Sequence, residues 1–340
     1  MKRLTGLWRR LNESAGPPSA ANAAAPATPA GEPRLEELLD QIVRRLGFDT
    51  EHPGWTDALR ELHRHSRRRR LQVIPDFFYT PVWAPSDLPA SVWDGTYPHC
   101  GRWDLEAQRR FLGETPSFAA ELSALTYERR ENDDAAFHWG NDQFSHSDAS
   151  LYYSMIRRFR PERIVEVGAG HSTRLAHKAV RDNGSGRILC IDPHAPRWLS
   201  ALDGVEVVAA PVQEAPDSVF LGLRENDVLF IDGSHITKTG SDVNHLFLRI
   251  LPRMPKGVLV HVHDICLPYE YPKRWAEEVL CYWNEQYVLA ALLANSTKFE
   301  ILLGVYYLQK TAPDLLKPYV PAVPGVFLGG GSLWLRSLAE

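Results

Sequence analysis

Two short stretches hold residue types that can do chemistry together. Asp232-Gly-Ser-His235 and His261-Val-His263-Asp264 each put a carboxylate and an imidazole within a few residues of one another. Each follows a run of aliphatic and β-branched residues, Asp227–Ile231 and Val258–Val262, so each delivers its polar groups at the carboxyl end of a strand. Alternation along the second strand puts His261 and His263 on the same side. Oxygens of Asp232 and Asp264, with His235 or His263, would suit Mg²⁺ or another divalent metal. A histidine, neutral near pH 7, is also a general base that needs no metal. A third reading has Asp232 capping the turn after it and His263 bonding a buried backbone group. Residue types alone leave all three open.

Upstream of both lies a glycine turn. Arg163-Ile-Val-Glu-Val-Gly-Ala-Gly-His-Ser-Thr173 reads as a buried strand, a tight turn at Gly168 and Gly170, and a helix start capped by Ser172 or Thr173. Glycine lets a ligand approach the backbone there, because it lacks Cβ and tolerates positive φ. A dinucleotide turn calls for a third glycine, and position 173 is threonine. Glu166, just before the turn, repels a pyrophosphate and attracts a cationic amino-acid group. S-adenosylmethionine carries an ammonium of that kind and a sulfonium besides. Asp192, ending the next strand, can accept both ribose hydroxyls, although its spacing is longer than in dinucleotide folds.

The elements that position these groups alternate. Strands are expected at Arg163–Val167, Arg187–Ile191, Val205–Ala209, Asp227–Ile231, Val258–Val262, Phe299–Leu303 and Ser332–Arg336. Helices are expected at Ser150–Phe159 (capped by Ser147 or Asp148), Pro196–Leu202, Asp242–Leu251 and Trp275–Ala294. Such alternation implies an α/β fold with a doubly wound, mostly parallel seven-stranded sheet. Ligands then bind outside the strands' carboxyl ends, where Glu166, Asp192, Asp232 and Asp264 all fall.

Ahead of this domain, set at 137–340, we expect a disordered tail or linker over 1–33, rich in Ala and Pro, and a helical, aromatic-rich extension or lid over 34–136. The extension should hold helices at Leu35–Leu46 and Trp55–Arg67, the latter ending in the solvated run Arg67–Arg70. Val73–Cys100 is irregular and aromatic, with Phe77, Phe78, Tyr79, Trp83, Trp93 and Tyr97. Further helices are expected at Trp103–Phe111 and Ser117–Thr126. The polar stretch Asn141, Asp142, Ser145, His146 and Asp148 then approaches the glycine turn. A substrate pocket is expected from Asn141, Phe144 and His146 on that side, and from Tyr269 and Trp283 on the other.

Composition narrows the classes. The 340 residues are 44% hydrophobic with a net charge of -4, which argues against a general nucleic-acid partner. Cys100, Cys190, Cys266 and Cys281 form no CxxC pair, which fits reduced thiols in a cytoplasm. No apolar run approaches a membrane span, and the basic Met1–Asn12 stretch lacks the apolar core of a secretory signal. The expected partner is a small-molecule substrate, and a homodimer stays open.

The glycine turn resembles motif I of the class I S-adenosylmethionine-dependent methyltransferases, acid-x-Gly-x-Gly. Further segments are similar to a bacterial subfamily of methyltransferase-domain proteins. They are Phe144-Ser-His-Ser-Asp-Ala, Phe230-Ile-Asp-Gly-Ser-His, Gly257-Val-Leu-Val-His-Val-His-Asp-Ile and Trp283-Asn-Glu-Gln-Tyr, within roughly 137–310. The resemblance implies a Rossmann-like sheet with an antiparallel last strand. It assigns Glu166, Gly168 and Gly170, with Ser172 and Thr173 at the helix start, to the methionine moiety and turn. Asp192 falls to the ribose, Gln213 to the adenine side, and Asp232 to the edge of the cofactor site. Ala169 departs from the Ser or Cys usual there, with no evident consequence. The implied activity is methyl transfer to a small-molecule acceptor, at an oxygen; His235, His263 and Asp264 are the candidate catalytic residues read from the strand ends, and Asp232 and Asp264 the candidate metal ligands. The alternatives are cyclisation of S-adenosylmethionine itself, releasing methylthioadenosine, and a non-catalytic binding protein that keeps the fold.

Overall fold

The computed structural model describes residues 35–46, 56–76, 80–82, 88–129, 135–141, 143–294 and 296–338. The expected tail 1–33, the aromatics Phe77, Phe78, Tyr79 and Trp83, and Asp142 lie outside the described residues. Two compact units divide between Pro89 and Ala90. In the smaller, Ser14–Pro89, helices α1 (Leu35–Leu46) and α2 (Asp57–Arg67) are found where the apolar spacing placed them. Thr56 caps α2 by accepting from the Leu59 backbone N–H at 3.1 Å.

The first described α-helix of the larger unit is α3 (Leu105–Glu114), and the unit is built on a seven-stranded sheet. Its strands are β1 (Arg163–Val167), β2 (Arg187–Ile191), β3 (Val205–Val208), β4 (Val228–Ile231), β5 (Leu259–Val262), β6 (Phe299–Gly304) and β7 (Leu333–Ser337), in the order β3-β2-β1-β4-β5-β7-β6. β1 to β5 are parallel, and β7 runs antiparallel to both β5 and β6. The sheet is thus Rossmann-like, with the antiparallel last strand the resemblance implies. The central strands are covered on both faces, which is why β1, β4 and β5 read as nearly continuous apolar runs. On one face Ile164, Phe230 and Trp334 pack on Tyr152, Met155 and Ile156 of α4 (His146–Phe159) and Leu175 and Ala179 of α5 (His171–Asn183). On the other, Val165, Leu229 and Val260 meet Phe247, Leu251 and Leu289.

The helix expected over Ser117–Thr126 shrinks to Ala119–Leu122, and three expectations beside the strand ends also differ. The helix expected over Trp275–Ala294 is two pieces, α6 (Lys273–Glu277) and α7 (Glu285–Ala294). The helix is capped at Glu278, and Leu280, at a φ of +59°, keeps it from resuming there. It restarts where the backbone N–H groups of Asn284 and Glu285 donate to His235 O at 3.0 and 3.3 Å. Second, α4 begins at His146 rather than Ser150. Third, Asp148 does not cap it: its carboxylate accepts from the backbone N–H groups of Gly331 and Ser332 at 2.8 and 3.0 Å.

Candidate active site

The glycine turn is set by close backbone approach. At Gly168, φ is +87° and an added Cβ would stand 2.0 Å from the Asp232 carbonyl oxygen, so only glycine fits. Gly170 donates its N–H to Thr173 Oγ1 at 3.1 Å, and that hydroxyl donates to Glu166 Oε2 at 2.5 Å. Tyr152 donates to the other oxygen at 2.8 Å. Glu166 is fully buried, and burial pushes its carboxyl up to about 7 despite those two donors. It therefore acts on the turn through Thr173. Ser172 is buried in the same helical turn. Asp192 is half-buried, and its two oxygens accept from the backbone N–H groups of Ala169 at 3.1 Å and His194 at 2.7 Å. Gln213 is exposed and donates to Gly240 O at 2.7 Å.

Beyond the turn, the strand ends bring the histidines and acids together. In the sheet register Glu166, Phe230, His261 and Trp334 stand side by side. Asp232 and His263 follow two residues along β4 and β5, on the same face. His235 Nε2 lies 3.3 Å from Asp232 Oδ1 and 3.9 Å from Asp264 Oδ2, and its Nδ1 bonds Glu285. His263 Nδ1 lies 3.4 Å from Asp264 Oδ2 and 3.6 Å from Asp232 Oδ1, while its Nε2 is 3.4 Å from Asp148 Oδ2. The three residues expected to be catalytic are thus one cluster with Asp232. Asp148 and Glu285 belong to it as well. Glu285 lacked a distinctive spacing. The signal that could have found it is a run of three polar residues, Asn284 to Gln286, opening an otherwise apolar helix.

On Asp148, Asp232, His235, His263 and Glu285 burial opposes charge, and the neighbouring groups oppose burial. His263 and His235 hold Asp232 well below the usual carboxylate range although burial alone would raise it. His235 is held charged by Glu285 and Asp232 against the same effect, and His263 by Asp264 and Asp232. Burial raises Glu285, and His235 pulls against it. His146, His235 and Asp264 all adopt left-handed φ values, 57°, 58° and 58°, which non-glycine residues seldom do. Such outliers gather where surrounding structure over-determines the backbone, as at functional sites.

The expected pocket residues divide. Phe144 packs on His263 with ring centroids 5.1 Å apart, and Trp283 lies over His235 at 4.2 Å. His146 stacks on Phe327 and its imidazole is pushed down to about 4 by burial. Asn141 is occupied within its own loop, donating to His138 O at 2.7 Å and accepting from Phe144 N–H at 2.7 Å. Tyr269 sits in the loop after Asp264, edge-on to Tyr306.

A divalent cation fits the donor set. Single ligand atoms of Asp232, His235 and Asp264 lie within 4.8 Å of one another. Asp264 Oδ2 is buried and has no hydrogen bond among the described residues. Two carboxylates and an imidazole suit a hard or borderline cation.

Comparison with known families finds a match across the first five strands. Residues 165–265 match the family model described as methyltransferase domain. This span runs from mid-β1 to just beyond β5, so the similarity to a methyltransferase domain falls on the parallel half of the sheet. Among curated proteins, an uncharacterized protein of Archaeoglobus fulgidus is 31% identical over 96 residues, which are 26% of this chain and 43% of that one. The chain thus spans less than half the length of that relative. Among solved structures, the O-methyltransferase TomG from Streptomyces achromogenes, in complex with SAM, is 15% identical, with 65% of this chain and 95% of that chain covered and a TM-score of 0.39. An O-methyltransferase from Bacillus cereus, in complex with SAH, is 12% identical, with 76% and 98% covered and a TM-score of 0.34. Both likenesses are too distant to carry a residue's role across.

Proposed function

We propose that the chain transfers the methyl group of S-adenosylmethionine to an oxygen of a small-molecule acceptor, with a divalent cation at Asp232, His235 and Asp264. The observation that carries this reading is the buried excess of carboxylate. Among the described residues, Asp148, Asp232, Asp264 and Glu285 surround only His235 and His263, and Asp264 Oδ2 has no hydrogen bond. A site with that balance favours cationic guests.

When bound, a divalent cation would polarise the acceptor hydroxyl and favour its alkoxide. The chain's own residues do the rest. The turn at Gly168 and Gly170 lets the cofactor's methionine end approach the backbone, and Thr173, held by Glu166, keeps the turn's shape. Asp192 can exchange its bond to His194 N–H for the ribose hydroxyls, with Gln213 on the adenine side. Phe144 and Trp283 form apolar walls against the two histidines, which keeps water from the transfer path. With a cation held there, Asp232 and Asp264 would hold the His263 proton less strongly, and His263, still oriented by Asp148 at Nε2, could take one from the acceptor. In-line transfer requires only that these groups fix the acceptor oxygen behind the methyl.

The decisive experiment incubates the protein with S-adenosylmethionine, Mg²⁺ or Mn²⁺ and a panel of hydroxylated acceptors, and identifies the cofactor product. S-adenosylhomocysteine formed only with metal and acceptor is the expected result. Methylthioadenosine would mean cyclisation instead. Transfer that persists in excess chelator would leave His235 or His263 as a metal-free general base.

A further inference from the structure

At the start of α7, consecutive side chains reach different parts of the site. Asn284 Oδ1 accepts from the Thr237 N–H at 2.5 Å. Glu285 bonds His235 Nδ1. Gln286 Oε1 accepts from the Cys266 N–H at 3.1 Å, and its Nε2 faces Tyr269 O at 3.4 Å and Glu270 Oε1 at 3.3 Å. The free N–H groups of this helix end are used too, since those of Asn284 and Glu285 donate to the carbonyl of His235. Glu285 and Gln286 are 1% and 0% exposed. Burying a carboxylate and an amide in the first turn of an apolar helix is costly unless each is fully used. Here each holds a loop that carries a strained site residue, His235 on one side and Asp264 on the other.

We propose that this first turn, Asn284 to Gln286, is the positioning element of the site, and that Glu285 is the residue that aims His235. Accepting from Nδ1–H fixes the ring so that Nε2 faces Asp232 and Asp264. A carboxylate behind a ligating histidine sets both its tautomer and its orientation. Gln286 does the corresponding work on the backbone that follows Asp264. This inference rests on the methyl-transfer reading for its purpose, but not for its geometry.

The test compares wild type with Glu285→Gln, which keeps volume and helix, and with Gln286→Met, which keeps volume and loses all three side-chain amide contacts. Mn²⁺ binding is followed by the spin resonance of the free ion, and S-adenosylhomocysteine binding by calorimetry. Glu285→Gln should weaken Mn²⁺ about 10–100-fold while S-adenosylhomocysteine affinity is unchanged. In proton NMR of the metal-free protein, a slowly exchanging imidazole N–H far downfield should be present in wild type. It should move upfield in Glu285→Gln and vanish in His235→Gln. Gln286→Met should weaken Mn²⁺ by a smaller factor and leave that resonance in place, which a general loosening would not do. Should Glu285→Gln fail to fold, Glu285→Asp, which keeps the charge and shortens the reach, should show the same effects in smaller measure. Wild-type Mn²⁺ affinity together with an unmoved resonance in the Glu285 variant overturns the proposal. A wild type that binds S-adenosylhomocysteine but not Mn²⁺ removes the metal reading alone, and the resonance then decides this one.

Discussion

Glu166 and His261 stand side by side across the sheet with only Phe230 between them, and burial moves them in opposite directions. Glu166 has its carboxyl raised to about 7, so between the unfolded value of 4.5 and that point the folded chain holds the extra proton. Its contribution to stability is therefore lost as pH rises through that window, by about 3 kcal/mol at most. Glu166→Gln should flatten this slope, which urea midpoints measured from pH 5 to 8 would reveal; an unchanged slope would mean that Glu166 is ionised throughout. His261 is pushed down to about 3 by burial and by the charge of His263, so here the unfolded chain holds the extra proton. Stability falls as pH drops below 6.5. Both its ring nitrogens are buried without a hydrogen-bond partner among the described residues, while the ring lies flat on Trp334 at 4.6 Å. His261→Phe should keep the stack and raise stability by about 1 kcal/mol at pH 7, and by more at pH 5. A lower melting temperature in that variant would show that the nitrogens are satisfied by water. At this scale the sequence made the pair His235 and His263 visible through spacing from their strands. The bonds of Glu166 to Thr173 and Tyr152 were not legible, because an acid before a glycine turn looks the same whatever it meets.

Among the elements, strands were far more legible than helices. β1, β2, β4 and β5 are buried runs with acids or histidines at their ends, and period and length alone define them. β7 was expected as antiparallel only through the resemblance. The segment from Trp275 to Ala294 shows where periodicity fails. Its aromatics are compatible with one long helix, yet Tyr271, Trp275 and Trp283 form their own small cluster. The chain breaks between Glu277 and Glu285 so that the first turn of α7 can point at His235. No helical period encodes such a demand, because its partner lies 50 residues away in sequence. The early start of α4 has a similar origin. His146 enters the helix from a left-handed φ, held by Phe327 and by the carboxylate of Asp148 on the 331–332 backbone.

For the whole chain, the question is where the methyltransferase-like body begins. Sequence pattern and resemblance set its start at 137, because the family-like segments begin there. Contacts within the larger unit bind residues 97–122 to the same body. Tyr97 donates its N–H to Pro268 O and its hydroxyl to Glu270 Oε2, both at 2.6 Å, and so pins the loop that follows Asp264. Gln108, buried, accepts the Gly304 N–H at 2.9 Å at the end of β6. The Tyr319 hydroxyl lies 2.7 Å from the carbonyl oxygens of both Leu112 and Thr115. Leu112 and Leu122 are part of the core that includes Tyr153 and Trp334. Removing all of this would leave Gly304 N–H and the Tyr319 hydroxyl without partners and would expose apolar side chains, each costing about 1–3 kcal/mol. Together these exceed the margin of an ordinary domain. We therefore predict that a chain starting at Ala90 unfolds in one cooperative transition and binds S-adenosylhomocysteine, whereas one starting at Phe137 is recovered insoluble or without a thermal transition. Calorimetry on the two truncations distinguishes the outcomes, and a cooperative, cofactor-binding product from the shorter one would place the boundary back at 137.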